Sequence, residues 1–144
     1  MIVQEQLAIG GKILPWLDMT SFVRRLSQDS IEQFDHVNDL DRPTFFDRGF
    51  IEALAYWRSS DSQAFLAFKD EVGGRRYSDP VFVTPPWPEL FVDDAERRHD
   101  FSAAVKEYHL ICETLTDFNY RQVEIPRMPV RDRVEFIMRQ IDIA

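Results

Sequence analysis

The fold is decided by the stretch TFFDRGFIEALAYW, residues 44–57, in which one predicted element passes directly into the next. Residues 44–47 form a short apolar run with β-branched and aromatic side chains, which is typical of a strand. Residues 50–57 repeat apolar side chains at helical spacing. In an open α/β sheet the ligand crevice lies at the carboxyl ends of the strands, so a carboxylate that ends a strand points toward a ligand. Asp47 is therefore a candidate site residue.

Arg48, the next residue, strengthens this interpretation. A cation at a helix N-terminus opposes the helix macrodipole, and it is favourable there only when an anion is also present. A phosphate group would supply that anion. The alternative is that Asp47 is a helix N-cap and that Arg48 is a solvated side chain.

Composition limits the class of protein. The chain has 144 residues, 44% of them hydrophobic, which is enough for one continuous core, so we expect a single domain over residues 1–144. The 25 acidic and 17 basic residues give a net charge of -8, which disfavours a surface for nucleic acid or an anionic membrane. The lone cysteine, Cys112, excludes an internal disulfide, and the Cys/His spacing does not suit zinc. Without a predicted membrane span or signal sequence, we expect a cytoplasmic protein.

Hydrophobic periodicity predicts helices alternating with strands along the rest of the chain. Strands are predicted at residues 44–47, 81–83 and 120–125. Helices are predicted at residues 2–9, about 19–34, 50–57, from Ser62 to Gly73, and at 101–115 and 130–141. Strands separated by helices imply crossover connections, so the predicted fold class is α/β with a three-layer parallel sheet. We predict that the three strands are parallel, with Asp47, Thr84 and Pro126 at one edge.

Five segments of the chain occur together in one family. They are EQLAIGG (residues 5–11), LPW (14–16), FFDRG (45–49), VTPPWPE (83–89) and DAERRHDF (94–101). With this combination the chain resembles the predicted ATPases of the AAA-like P-loop family, which look like small kinases similar to thymidylate kinase and ribosylnicotinamide kinase. The resemblance covers nearly the whole chain. It implies a P-loop NTPase-like fold that binds ATP or GTP together with Mg²⁺.

One motif of that family does not occur in residues 1–144. P-loop proteins hold the nucleotide phosphates with a Gly-x-x-x-x-Gly-Lys-Ser/Thr loop between a strand and a helix. In the segment Gly10-Gly11-Lys12, the first glycine of the motif is replaced by Gln6 and the Ser/Thr by Ile13. This segment therefore predicts a helix stop. Compared with the family, the chain is expected to be N-terminally truncated and to lack the Walker A segment with its flanking strands and helix.

The resemblance implies roles for four charged residues. Asp47 matches the family carboxylate that holds Mg²⁺ through water or orients an acceptor hydroxyl, and Arg48 would contact acceptor or phosphate oxygens. Arg97 and Arg98 resemble lid arginines, which neutralise charge on the transferring phosphoryl group. Adjacent arginines project about 100° apart on a helix, so these two are alternatives as much as partners. The alternative, without the resemblance, is that Arg97 and Arg98 are solvated side chains in the first turn of a helix that a preceding aspartate caps.

Four further residues are placed near the site by the same resemblance. Arg127, in the turn after the third predicted strand, lies where this class of kinase contacts the adenine. Trp87 stands between prolines after the second predicted strand, where it would form a rigid wall of the site. The alternatives are a solvated arginine and an apolar residue that covers the edge of the core. By analogy, Glu5 and Trp16 lie near the pocket for the acceptor.

Two functions are consistent with the sequence. The first is a nucleotide-binding ATPase or kinase-like protein that, in its full-length form, transfers a phosphoryl group from ATP to an unknown small acceptor. The second is a non-catalytic, nucleotide- or partner-binding regulatory module that has lost the phosphate loop. In both cases we expect residues 1–144 alone to be inactive. The sequence does not decide whether the protein forms a homo-oligomer. Cys112 has no assigned role.

Overall fold

The structure is a computed structural model that describes residues 2–14, 17–88 and 101–141. Along the described residues, the order of elements is α1 (Ile2–Ile9), α2 (Met19–Asp35), α3 (Phe50–Ser60), α4 (Ser62–Val72), β1 (Val81–Val83), α5 (Phe101–Asp117), β2 (Gln122–Glu124) and α6 (Val130–Ile141). None of these helices combines the length and the apolar character needed to cross a membrane. The chain divides into two compact units, Met1–Arg75 and Arg76–Ala144. The single domain over residues 1–144 stays a prediction.

The unit Met1–Arg75 is built around α3. Ala53 and Leu54 are fully buried, and Phe50 is 1% exposed. α3 packs against α2 and α4, and α1 packs against α2. A helix that is covered by neighbours on more than one side must be apolar over most of its surface. This explains why the apolar positions of α3 are not confined to one narrow stripe.

Local capping sets several helix ends in this unit. The Asp18 carboxylate accepts a hydrogen bond from the Ser21 backbone N–H at 3.0 Å at the start of α2. Asp61 accepts from two backbone N–H groups, at 3.1 and 3.0 Å, at the start of α4. Gly73 ends α4 with a φ of 58°, in the left-handed region that favours glycine. These ends are encoded by single residues next to each helix.

The prediction of a strand at residues 44–47 is wrong. Residues 43–46 have no regular secondary structure, and the chain bends at residues 47–48. Phe45 is 60% exposed, whereas the ring of Phe46 stacks on Phe34 of α2 at a centroid distance of 6.4 Å. A strand is stabilised by hydrogen bonds to a neighbouring strand, and the described residues of Met1–Arg75 contain only helices as regular elements. The apolar run therefore packs against a helix instead.

In the second unit, β1 and β2 form a parallel pair, which confirms the predicted direction of these two strands. Val83 lies opposite Glu124, and the Ile125 backbone N–H donates to the Val83 carbonyl at 2.9 Å. Because the pair is parallel, Thr84 and Pro126 follow the two carboxyl ends at the same edge. A mixed α/β architecture with a small parallel sheet is thus present. The full three-layer P-loop fold stays a prediction.

Arg76 links the amino-terminal end of the β1–β2 pair to the end of α5. Its guanidinium group donates to the carbonyls of Phe118 and Asn119, each at 2.6 Å, and lies 4.0 Å from the centroid of the Tyr120 ring. Asn119 has a φ of 61°, and the chain turns there out of α5. A helix C-terminus leaves backbone carbonyls without intrahelical partners, and Arg76 supplies donors for that region. This contact fixes the chain on its way into β2.

Candidate functional site

Asp47 and Arg48 lie in a tight turn directly before α3. The N-cap of α3 is Gly49, so the alternative in which Asp47 caps the helix is wrong. Both side chains are exposed. In the part of the chain that the structure describes, neither makes a hydrogen bond or an ion pair. A carboxylate and a guanidinium group are therefore both open to a ligand at the start of the helix.

The backbone of Arg48 is left-handed, with a φ of 67°. A residue other than glycine in this region costs about 1–3 kcal/mol and persists only where the surroundings impose it. Such residues cluster at functional sites. The conformation reverses the chain between Asp47 and Gly49.

Two phenylalanine rings anchor the ends of this turn. Phe46 precedes it and Phe50 follows it, and both rings contact Phe34 of α2. The ring centroids of Phe34 and Phe50 are 5.7 Å apart, and those of Phe34 and Phe46 are 6.4 Å apart. Between these anchors, Asp47, Arg48 and Gly49 form a short loop on the α2–α3 pair, in which Asp47 and Arg48 are exposed and Gly49 is buried.

The carboxylate of Glu52 forms a hydrogen bond with the last residue of the turn, Gly49. Its Oε2 accepts a hydrogen bond from the Gly49 backbone N–H at 2.8 Å. A glutamate at the third helical position that bonds back to the N-cap is one half of a capping box. The reciprocal bond needs a side chain on the N-cap, which Gly49 lacks. Glu52 is not among the site residues predicted from the sequence, although its spacing from Gly49 is the signal for this contact.

The Gly10-Gly11 pair after α1 does not form a phosphate-binding loop for a nucleoside triphosphate. Gly10 has a φ of 67°, and the Gly11 N–H donates to the Gln6 carbonyl at 2.8 Å, a pattern that ends helices. The Ile13 N–H donates to Gln6 Oε1 at 3.2 Å. A phosphate cradle needs backbone N–H groups that point at the ligand, and these two are already used. The predicted helix stop is confirmed.

In the second unit, Trp87 lies four residues beyond the end of β1 and is half-buried. The guanidinium carbon of Arg133, in α6, lies 5.5 Å from the centroid of the Trp87 ring, within cation–π range. Arg133 Nε is buried and has no hydrogen-bond partner among the described residues. Arg133 is not among the site residues predicted from the sequence. Arg127 is exposed in the turn between β2 and α6, and the nucleotide-binding roles of Arg127 and Trp87 stay predictions.

Glu5 forms an ion pair rather than projecting alone. Its Oε2 lies 2.7 Å from Arg25 Nη2, so the pair links α1 to α2. Trp16, Arg97 and Arg98 lie outside the described residues. The predicted arginine lid and the acceptor contacts of Glu5 and Trp16 therefore stay predictions.

Among the described residues, no group of three or more His, Cys, Asp or Glu side chains is placed to hold a metal ion. Magnesium usually keeps several waters and takes only one or two protein carboxylates. An exposed carboxylate such as Asp47 is a donor of the kind that binds Mg²⁺ through water. Its role as the metal residue stays a prediction.

Comparison with known proteins gives a match at the level of a family. A family model described as an AAA domain matches residues 1–133, which is nearly the whole chain. Neither the curated proteins nor the solved structures gave a significant match.

Proposed function

The chain belongs to the AAA domain family, whose members are P-loop nucleotide-binding proteins, and from this we propose that it serves phosphoryl transfer from ATP to a small acceptor. Proteins of this type generally bind the nucleotide together with Mg²⁺. The observation that carries the proposal is the turn at Asp47 and Arg48. It offers an exposed carboxylate and an exposed cation on a backbone held in a costly conformation.

The two side chains suit different parts of such a reaction. The Asp47 carboxylate can accept a hydrogen bond from an acceptor hydroxyl or bind Mg²⁺ through water. The Arg48 guanidinium group can bind phosphate or phosphoryl oxygens and offset their negative charge. Both lie beside the N-terminus of α3, where the helix dipole favours an anion. We assign Asp47 to the acceptor or metal and Arg48 to the phosphoryl oxygens.

The proposal needs a phosphate cradle other than Gly10-Gly11-Lys12. The 144 residues contain five glycines, and no two of them have the spacing of a Gly-x-x-x-x-Gly-Lys loop. In the proposal, a glycine-rich loop outside residues 1–144 holds the β- and γ-phosphates. Residues 1–144 then contribute the acceptor side of the reaction.

The experiment compares Asp47→Asn and Arg48→Ala with Asp39→Asn in the protein encoded by the whole reading frame. Asp39 is a matched control, because it is exposed in the same loop and its ion pair is with Arg42, at 3.8 Å. ADP formation from Mg-ATP reports turnover, whether the phosphoryl group goes to an acceptor or to water, and calorimetry reports Mg-ATP affinity. We expect Asp47→Asn to lower turnover by about 10²–10⁴-fold and Asp39→Asn to leave it unchanged.

Three results discriminate between the functions. Unchanged turnover in both Asp47→Asn and Arg48→Ala would overturn the assignment of the site. An unmodified protein that binds Mg-ATP but forms no ADP, with and without added small hydroxyl compounds, would instead support the non-catalytic regulatory module. A protein that neither binds Mg-ATP nor forms ADP from it would overturn the proposed phosphoryl transfer from ATP.

A further inference from the structure

The turn before α3 must be held in place by its surroundings. Arg48 has a left-handed backbone, with a φ of 67°, which an L-residue does not adopt without a constraint. The Phe46 and Phe50 contacts with Phe34 fix the two ends of the turn. They leave the peptide between Arg48 and Gly49 to be oriented by another group.

Glu52 supplies that orientation. The Gly49 N–H belongs to the peptide that follows Arg48, so a hydrogen bond to this N–H restrains rotation about the Arg48 backbone. The acceptor is Glu52 Oε2, at 2.8 Å, and Gly49 is buried. A charged acceptor makes a stronger bond than a neutral one.

From this geometry we infer that Glu52 is a positioning residue, which holds the Asp47–Arg48 turn in its conformation and thereby aims both side chains at the ligand. The inference rests on the proposed function of Asp47 and Arg48. Through its hydrogen bond to the Gly49 N–H, Glu52 acts on the position of the turn. It therefore differs from Asp61, which caps α4 by accepting two backbone N–H groups but adjoins no candidate site residue.

The experiment compares Glu52→Ala and Glu52→Gln with Asp61→Ala in the protein from the whole reading frame. Asp61→Ala removes a helix cap of the same kind, so it measures what loss of a cap does to stability and turnover away from the turn. Glu52→Gln keeps an acceptor oxygen for the Gly49 N–H and removes only the charge. Hydrogen exchange of the Gly49 amide, measured by NMR, reports the contact directly and does not depend on activity.

We expect Glu52→Ala to lower kcat for ADP formation from Mg-ATP by on the order of 10- to 100-fold, the effect of a misplaced site group. The KM for Mg-ATP should change little, and exchange of the Gly49 amide should become faster. Glu52→Gln should recover most of both losses. Asp61→Ala should reduce the melting temperature about as much as Glu52→Ala while leaving kcat unchanged.

Two outcomes would overturn the inference. Unchanged Gly49 exchange in Glu52→Ala would show that the carboxylate does not hold the turn. Equal losses of kcat in Glu52→Ala and Asp61→Ala would show that Glu52 acts only through helix stability. If Gly49 exchange responds to Glu52 but kcat does not respond to Asp47→Asn, the contact stands and the proposed function fails, and the positioning role fails with it.

Discussion

Arg48 is held in a conformation that glycine adopts at lower energy, since glycine has no Cβ to clash with the backbone. A side chain kept at such a position in spite of its cost indicates a role for that side chain. The same reasoning does not apply to Asn119, the other described non-glycine residue with a positive φ, because asparagine tolerates this region well.

We predict that Arg48→Gly raises the free energy of unfolding by roughly 0.5–1 kcal/mol, because it relieves the left-handed backbone, and lowers the rate of ADP formation from Mg-ATP. Urea unfolding measures the first quantity and a turnover assay the second. Asn119→Gly is the control, and it should leave turnover unaffected. If Arg48→Gly is less stable than the unmodified protein, the backbone argument is wrong.

Asp35 and Arg75 form a two-point ion pair between the end of α2 and the end of α4. The distances are 2.7 Å from Arg75 Nε to Asp35 Oδ1 and 2.8 Å from Arg75 Nη2 to Asp35 Oδ2. These hydrogen bonds from Arg75 hold the pKa of Asp35 below its ordinary value of 3.8. Asp35 directly follows Phe34, the ring on which both ends of the Asp47–Arg48 turn are packed.

This pair gives a prediction for the dependence of stability on pH. A carboxyl group whose pKa is lower in the folded state stabilises that state above its unfolded pKa, and the contribution is lost as the pH falls through the folded pKa. We expect Asp35→Asn to reduce stability at neutral pH and to weaken the fall in stability below about pH 4. Urea unfolding between pH 2.5 and 7, chosen to bracket that range, measures both effects. Asp39→Asn should follow the unmodified protein, and equal pH curves for the two variants would contradict the prediction.

At the scale of elements, α2 and α3 are joined by a buried polar contact as well as by apolar packing. Trp57 Nε1 donates to Ser27 Oγ at 3.1 Å, and Ser27 Oγ donates to the Val23 carbonyl at 2.7 Å. Ser27 and Trp57 are both buried. Since a buried N–H needs an acceptor, this contact restricts how α3 can rotate against α2 and so where α3 starts.

We predict that Ser27→Ala lowers the free energy of unfolding by about 1–3 kcal/mol, the cost of leaving the Trp57 N–H buried without a partner. Urea unfolding followed by tryptophan fluorescence measures this change. Ser59→Ala is the matched control, because the Ser59 hydroxyl donates to the Tyr56 carbonyl at an exposed position. A loss in Ser27→Ala no larger than that in Ser59→Ala would show that the contact contributes little.

At the scale of the whole molecule, the family assignment and the phosphate cradle lead to one prediction. Phosphoryl transfer depends mostly on positioning and on stabilising charge, and the Gly11 and Ile13 N–H groups are bonded to Gln6. Residues 1–144 alone should therefore show little or no ATP turnover and weak Mg-ATP binding. Calorimetry and ADP formation check this against the protein from the whole reading frame. Micromolar affinity with full turnover in residues 1–144 would show that another cradle exists within them.

The family, the helices and the direction of the β1–β2 pair follow from the sequence. Helix α2 is encoded by apolar spacing with a cap at Asp18, and α1 is ended by Gly10, because periodicity and capping act over a few neighbouring residues. Asp47 and Arg48 could be selected as site candidates in the same way, from their chemistry and their place beside a helix start.

Tertiary contacts alone determine the backbone conformation of residues 44–49. A strand needs a partner strand. An aromatic run can also bury its apolar side chains by packing against a helix, as Phe46 does against Phe34. The left-handed backbone of Arg48 depends on packing at both ends of the turn, and the Glu52 contact depends on the resulting position of Gly49. The sequence therefore determines which chemical groups are available in this segment. Contacts between distant residues determine the conformation of those groups, because no local pattern encodes the energy of packing against another element.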